Sequence, residues 1–259
     1  MRFALCIEYD GSHFHGWQAQ LHARSVQQDL ESALAKVANH CLRVVCAGRT
    51  DTGVHALGQV VHFDSNAERE ERSWLLGGNV NLPRDISIAW VKRAHKNFHA
   101  RFSAVSRRYR YVIVNRETRF SLLDHKVTWI RQALDVRKMD SAAQFLVGEH
   151  DFSSFRASQC QAKHPVRTVY SISVSRSAEF IYLDIIANAF LHHMVRNIAG
   201  VLISIGKGER SVSWVFELLR LRDRRAGGVT APPDGLYLIG VGYPKKYEIP
   251  VSGKTVVFG

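Results

Sequence analysis

Apolar and polar positions alternate from the start of the chain. Phe3, Leu5, Ile7 and Tyr9 share one face of a strand over residues 2–9, and Asp10-Gly11-Ser12 supplies a turn. After a loop rich in His and Gly, the apolar period lengthens. Val26, Leu30, Ala33, Leu34 and Val37 form a helical stripe, opened by Ser25 as N-cap with Gln28 three residues on. Residues 42–47 and 58–64 read as strands separated by the loop GRTDTGVHA. Residues 74–83 read as a helix that turns at Pro83, and residues 86–94 as a strand. The first third is therefore β-α-β-β-α-β, the order of a ferredoxin-like fold.

A second set follows at greater length. Residues 106–115 form a strand, Asp140 caps a helix running through Val147, and residues 167–175 and 179–187 make a hairpin. A long helix spans 189–206, a shorter one 213–222, and a final strand 235–243. The expected class is α+β with two halves, 1–100 and 101–247, and a loosely ordered tail whose last part is 248–259. No repeat, low-complexity segment or long linker is visible.

Composition narrows the function. Lys plus Arg number 35 against 23 Asp plus Glu, a net charge of +12, and such an excess suits a polyanionic partner. The four cysteines (Cys6, Cys41, Cys46 and Cys160) form no CxxC pair, which argues for isolated thiols in a reducing compartment. Glu8 interrupts the short apolar run at the N-terminus, and no stretch reaches the ~18 apolar residues of a membrane span. These features predict a cytoplasmic protein with no membrane association.

The segment richest in chemistry is Gly48-Arg49-Thr50-Asp51-Thr52-Gly53-Val54-His55-Ala56. Glycines near both ends let the backbone turn tightly and approach a ligand. An Asp beside an Arg stays ionised, which suits a nucleophile or a base. Spacing alone leaves open a solvated turn in which Asp and Thr bond the local backbone. Asp51-Thr52-Gly53 also spells the DTG of aspartic proteases, but Arg49 opposes the shared proton such a dyad needs.

Two further segments stand out. On the strand 106–115, Arg107, Tyr109 and Tyr111 share one face and Arg108 and Arg110 the other, a mixture suited to base stacking and phosphate contact. Core tyrosines with solvated arginines are the plainer alternative. In the helix from Ala189, the stripe Leu191, Met194, Val195, Ile198, Val201, Leu202 and Ile205 opposes His192, His193 and Arg196. On a helix the two histidines point about 100° apart, which argues against a shared metal ion. The GKG at 206–208 is not a phosphate-binding loop, and no GxGxxG is present.

At these residues the chain strongly resembles the tRNA pseudouridine synthase A family. The resemblance runs through Tyr9-Asp10-Gly11-Ser12, Gly16-Trp17-Gln18, Ala47 to Ala56, Ala100-Arg101-Phe102-Ser103-Ala104, Arg108-Tyr109-Arg110-Tyr111, Gly148-Glu149-His150-Asp151-Phe152, Phe190 to Asn197 and Gly235-Leu236-Tyr237-Leu238. Gly16 and the loop 157–163 are expected to vary freely. The resemblance implies two ferredoxin-like halves sharing a mainly antiparallel sheet around a basic cleft. It implies isomerisation of uridine to pseudouridine at tRNA positions 38, 39 and 40, with no cofactor and no metal, by a homodimer whose partner is tRNA. By matching position, it makes Asp51 the catalytic carboxylate and Tyr109 the ring on the target base. Arg196 becomes the cation paired with the aspartate, Arg49 the residue that helps displace the nucleotide, and Leu236 an apolar wall. His55, His150 and Asp151 are read as structural or RNA-contacting. The competing readings are a basic RNA-binding module without catalysis and a glycosidase that releases the base.

Overall fold

A computed structural model describes residues 1–251 and 255–258; positions 252–254 and 259 of the expected tail lie outside the described residues. The strands are β1 (Arg2–Tyr9), β2 (Val45–Cys46), β3 (His55–Asp64), β4 (Ile86–Arg93), β5 (Ser106–Asn115), β6 (Thr128–Ile130), β7 (Gly148–Asp151), β8 (Val166–Ser177), β9 (Phe180–Ala187) and β10 (Leu236–Gly242). The helices are α1 (Val26–Ala38), α2 (Glu71–Asn81), α3 (Val136–Ala143), α4 (Met194–Gly206) and α5 (Trp214–Leu221). The class is α+β with mostly antiparallel pairing. No helix among the described residues is long and apolar enough to cross a membrane.

The chain forms two compact units that interleave along the sequence. The first comprises Met1–Ser106 and Tyr237–Thr255, the second Arg107–Leu236 and Val256–Gly259.

In the first unit β1 is central, antiparallel to both β3 and β4. β2 pairs with one end of β3, Val45 opposite His62, giving the β4-β1-β3-β2 order of a ferredoxin-like fold. At the other end of β3, β10 pairs in parallel, Tyr237 opposite His55 and Leu238 opposite Ala56. That pairing starts β3 three residues before the expected position 58. β2, expected over 42–47, is only two residues long. Ser25 Oγ caps α1 by accepting from the Gln28 N–H at 3.4 Å, as the sequence indicates. Packing of α1 on α2, and of α2 on β4, covers one face of the sheet. Phe3, Phe63 and Trp74 meet there with ring centroids 4.9 to 5.6 Å apart.

The second unit has strand order β5-β9-β8-β7, with β6 parallel on β5. Ile113, Ile181, Leu183, Ile185, Ile172 and Val174 are buried, and α3 packs on β8 and α4. Two helix starts differ from expectation. α3 is capped by Asp135, whose carboxylate accepts from the Lys138 N–H at 3.0 Å, and it ends at Ala143. Asp140 instead lies inside the helix and accepts from the Val174 N–H at 2.8 Å, tying α3 to β8. α4 begins at Met194 and not at 189, because His193 adopts a left-handed φ of 60° that no helix can contain.

The chain beyond Pro244 is not loose where it is described. Tyr247 packs edge-on against Phe98, and Lys92 pairs with Glu248. Further on, Arg110 donates to the Val256 carbonyl, and Tyr182 Oη both donates to the Phe258 carbonyl and accepts from its N–H.

Candidate active site

In the first unit, the loop from Gly48 to Val54 joins β2 to β3 and is braced from three sides. Gln59 Nε2 donates to the Gly48 carbonyl at 2.6 Å. The Trp17 N–H donates to the Thr50 carbonyl at 3.0 Å, and the Gly53 N–H donates to the Phe14 carbonyl at 3.3 Å. Thr50 is buried, with its Oγ1 2.6 Å from the Tyr9 hydroxyl. Asp51 opens a tight turn closed by the Val54 N–H donating to its carbonyl at 3.2 Å. Gly53 holds φ at +79° in that turn, a conformation that side-chain-bearing residues rarely adopt.

Two other glycines shape the same loop. A Cβ on Gly11 would stand 2.1 Å from the Val54 carbonyl oxygen. One on Gly16, whose φ is +88°, would stand 2.8 Å from that of Thr50. Gly16 was expected to vary freely; the close backbone approach overturns that, and only glycine meets both demands. The Asp10-Gly11-Ser12 turn also has a partner here, since the Gly11 N–H donates to His55 Nδ1 at 2.9 Å. His55 is buried and stacks on Tyr237 at 4.6 Å, a structural position.

Asp51 is half-buried, whereas Arg49 is exposed and forms no ion pair among the described residues. Burial pushes the Cys46 thiol up to about 12 despite the nearby cations of Arg49 and Arg101, so it stays protonated and unreactive.

In the second unit, Tyr109 is almost wholly buried on β5 and meets the Phe190 ring edge-on at 5.0 Å. Tyr111 is fully buried, sharing a 2.6 Å hydrogen bond with Thr128 Oγ1 and donating to the Pro232 carbonyl. Burial raises its pKa. On the opposite face of β5, Arg110 forms a two-pronged pair with Asp184 at 2.9 and 2.6 Å and lies over the Tyr182 ring. Arg108 approaches the same carboxylate at 3.7 Å. The interleaved arginines and tyrosines of this strand thus build structure at Arg110 and Tyr111, and their donors are committed inside the unit.

Arg196 lies in the first turn of α4, half-buried, and its Nε donates to the Ala231 carbonyl at 2.9 Å. Next to it, the buried Asn197 donates to the Phe155 carbonyl and accepts from Thr230 and Arg224, so the loop before β10 is pinned to α4. Gly200 permits this, since a Cβ there would stand 1.9 Å from the Val229 carbonyl. Leu236 is buried where that loop enters β10. His192 and His193 precede the helix, with ring centroids 4.0 Å apart. The helical-spacing argument for their divergence does not apply to this turn. His150 and Asp151 bond their own backbone neighbourhood, at the Val147 carbonyl and the Ser153 N–H.

Sequence reasoning singled out Asp51 and missed what holds its loop: Tyr9, Gly11 and Gly16 lie in the motifs quoted above, and glycine at 11 and 16 was the signal of a close backbone approach.

Residues 5–103 and 142–244 match the tRNA pseudouridine synthase family. Asp51, Arg49, Arg196 and Leu236 fall inside those spans, and Tyr109 falls between them. The chain is 57% identical over 249 residues to tRNA pseudouridine synthase A of Methylococcus capsulatus, covering 96% of this chain and 92% of that protein. It is 56% identical over 256 residues to tRNA pseudouridine synthase A of Nitrosococcus oceani, covering 99% of each. A third relative of the same name, from Shewanella piezotolerans, is 57% identical over 250 residues and covers 96% of each chain. Matches of this length run through the braced Asp51 loop and the start of α4, and the chain belongs to the tRNA pseudouridine synthase family, whose members are isomerases.

Proposed function

We propose that this protein converts uridine to pseudouridine in the anticodon stem-loop of tRNA, at positions 38, 39 and 40, with Asp51 as its catalytic carboxylate. The observation that carries this reading is the loop itself: a half-buried carboxylate on a turn that bonds from Gln59, Trp17, Phe14 and Tyr9 hold rigid. Precise placement of one reactive group is what such bracing provides.

The reaction breaks the bond from uridine N1 to the ribose, turns the base, and joins C5 to the same ribose carbon. C5 loses its proton and N1 gains one. Nothing is oxidised and no group is donated, so the proposal calls for no cofactor and no metal. The target base must leave its stack to be reached, which calls for an aromatic plane and cationic flanks. By resemblance, Tyr109 supplies the plane, Arg49 helps displace the nucleotide, Leu236 is an apolar wall, and Arg196 contributes positive charge. The same resemblance supports a homodimer acting on tRNA in the cytoplasm.

The test is tritium release from tRNA transcripts labelled at uridine C5, with Asp51→Asn beside the wild type. Release by the wild type and none by the variant, with tRNA binding retained in both, is the expected result. Binding without release by the wild type would replace this reading with that of a non-catalytic RNA-binding module. Free uracil among the products would indicate a glycosidase.

A further inference from the structure

A single exposed apolar side chain means little on its own. Phe102 is different in how it is held. The residue is 77% exposed, on a hydrogen-bonded turn. His99 Nδ1 accepts from the N–H groups of Arg101 and Phe102 at 3.2 and 3.1 Å. The Ser103 N–H donates to the His99 carbonyl at 2.9 Å, and the His99 N–H donates to Ser103 Oγ at 3.0 Å. The imidazole lies parallel to the phenyl ring, 4.3 Å away at 30°, so one face of Phe102 is already stacked.

A second histidine backs the first. His62 is buried, 4.8 Å from the His99 ring, and its Nδ1 accepts from the Ala100 N–H at 3.1 Å. His62 belongs to β3 and stands opposite Val45 of β2, the strand that runs directly into the Asp51 loop. Burial and the nearby Arg2 cation lower the pKa of both histidines, and the pair is neutral near pH 7. A cation borders the ring: the Arg101 guanidinium carbon is 5.7 Å from the Phe102 ring centroid.

We propose that Phe102, stacked on His99 and flanked by Arg101, is a platform for an unpaired nucleobase of the tRNA other than the uridine being isomerised. The inference rests on the tRNA reading above. Every base offers a π-face, so an exposed rigid ring accepts one whatever its identity, while the neighbouring arginine meets an adjoining phosphate. The turn is preorganised, so little side-chain freedom remains to be lost on binding. A protein partner would call for an apolar surround, and here the ring is bordered by charge.

The test uses the full chain and an unmodified tRNA transcript, comparing wild type with Phe102→Ala, Phe102→Leu and Phe102→Tyr. Both Kd and the steady-state constants for tritium release are measured. Alanine and leucine should each raise Kd and KM about ten-fold with kcat changed less than about two-fold, and tyrosine should restore wild-type values. Leucine keeps the apolar bulk without the π-face, so its loss separates stacking from simple burial. Wild-type KM in Phe102→Ala, or full affinity in Phe102→Leu, overturns the platform. If the wild type releases no tritium, the synthase reading falls, and the Kd series alone decides the platform.

Discussion

The hydroxyl of Tyr9 and Oγ1 of Thr50 lie 2.6 Å apart in a buried hydrogen bond that ties the end of β1 to the residue before Asp51. The position of Asp51 is thus inherited from the central strand of its unit. Tyr9→Phe and Thr50→Val each remove one hydroxyl and leave the other buried. Each should cost about 1–2 kcal/mol and lower kcat more than it raises KM. The double variant should cost less than the sum, which thermal melts and kinetics on the three variants will measure.

Gly16 carries two constraints at once, a φ of +88° and a backbone oxygen 2.8 Å from where its Cβ would sit. Gly16→Ala should displace the Thr50–Asp51 peptide, costing about 1–3 kcal/mol. Activity should fall further than stability accounts for. A variant with wild-type kcat would show that the loop tolerates displacement.

Arg110 separates a structural role from an RNA-binding one. Its side chain is 12% exposed and its donors go to Asp184 and the Val256 carbonyl. Arg110→Met should lower stability by about 2 kcal/mol, since it leaves the Asp184 carboxylate with only the more distant Arg108. The dependence of tRNA affinity on salt should not change. A salt slope smaller by about one unit would instead assign Arg110 to a phosphate.

His62 predicts a pH dependence of stability. Burial and the Arg2 cation hold its pKa down at about 4, below the value of about 6.5 it takes in the unfolded chain. Between those values the unfolded state binds more protons, so stability is fully present above pH 6.5 and is lost as pH falls towards 4. Melting temperatures between pH 4 and 7 should show this fall, and His62→Gln should flatten it. An equally steep fall in the variant would place the titrating group elsewhere.

Much was readable in the chain alone, and the reasons are local. β1, β5 and the β8–β9 hairpin follow from alternation, α1 from its stripe and its Ser25 cap, and the Asp51 loop from glycine beside charged and hydroxyl residues. These depend on neighbours a few positions away, which a linear pattern records. What escaped depends on partners far off in sequence. β3 begins at His55 because β10 pairs there, some 180 residues later. Asp140 looked like a cap, and its carboxylate is taken by Val174 on β8 while Asp135 does the capping. His192 and His193 fit a helical period, yet the chain turns left-handed at His193 and pins the start of α4 against a loop 33 residues on. Arg110 and Tyr111 carry the composition of an RNA-binding strand, and burial turned both to structure. Sequence by itself determined the residue types, the local elements and the family. Tertiary structure decided which polar groups were already satisfied inside the protein, because satisfaction depends on donors and acceptors that only folding brings within 3 Å.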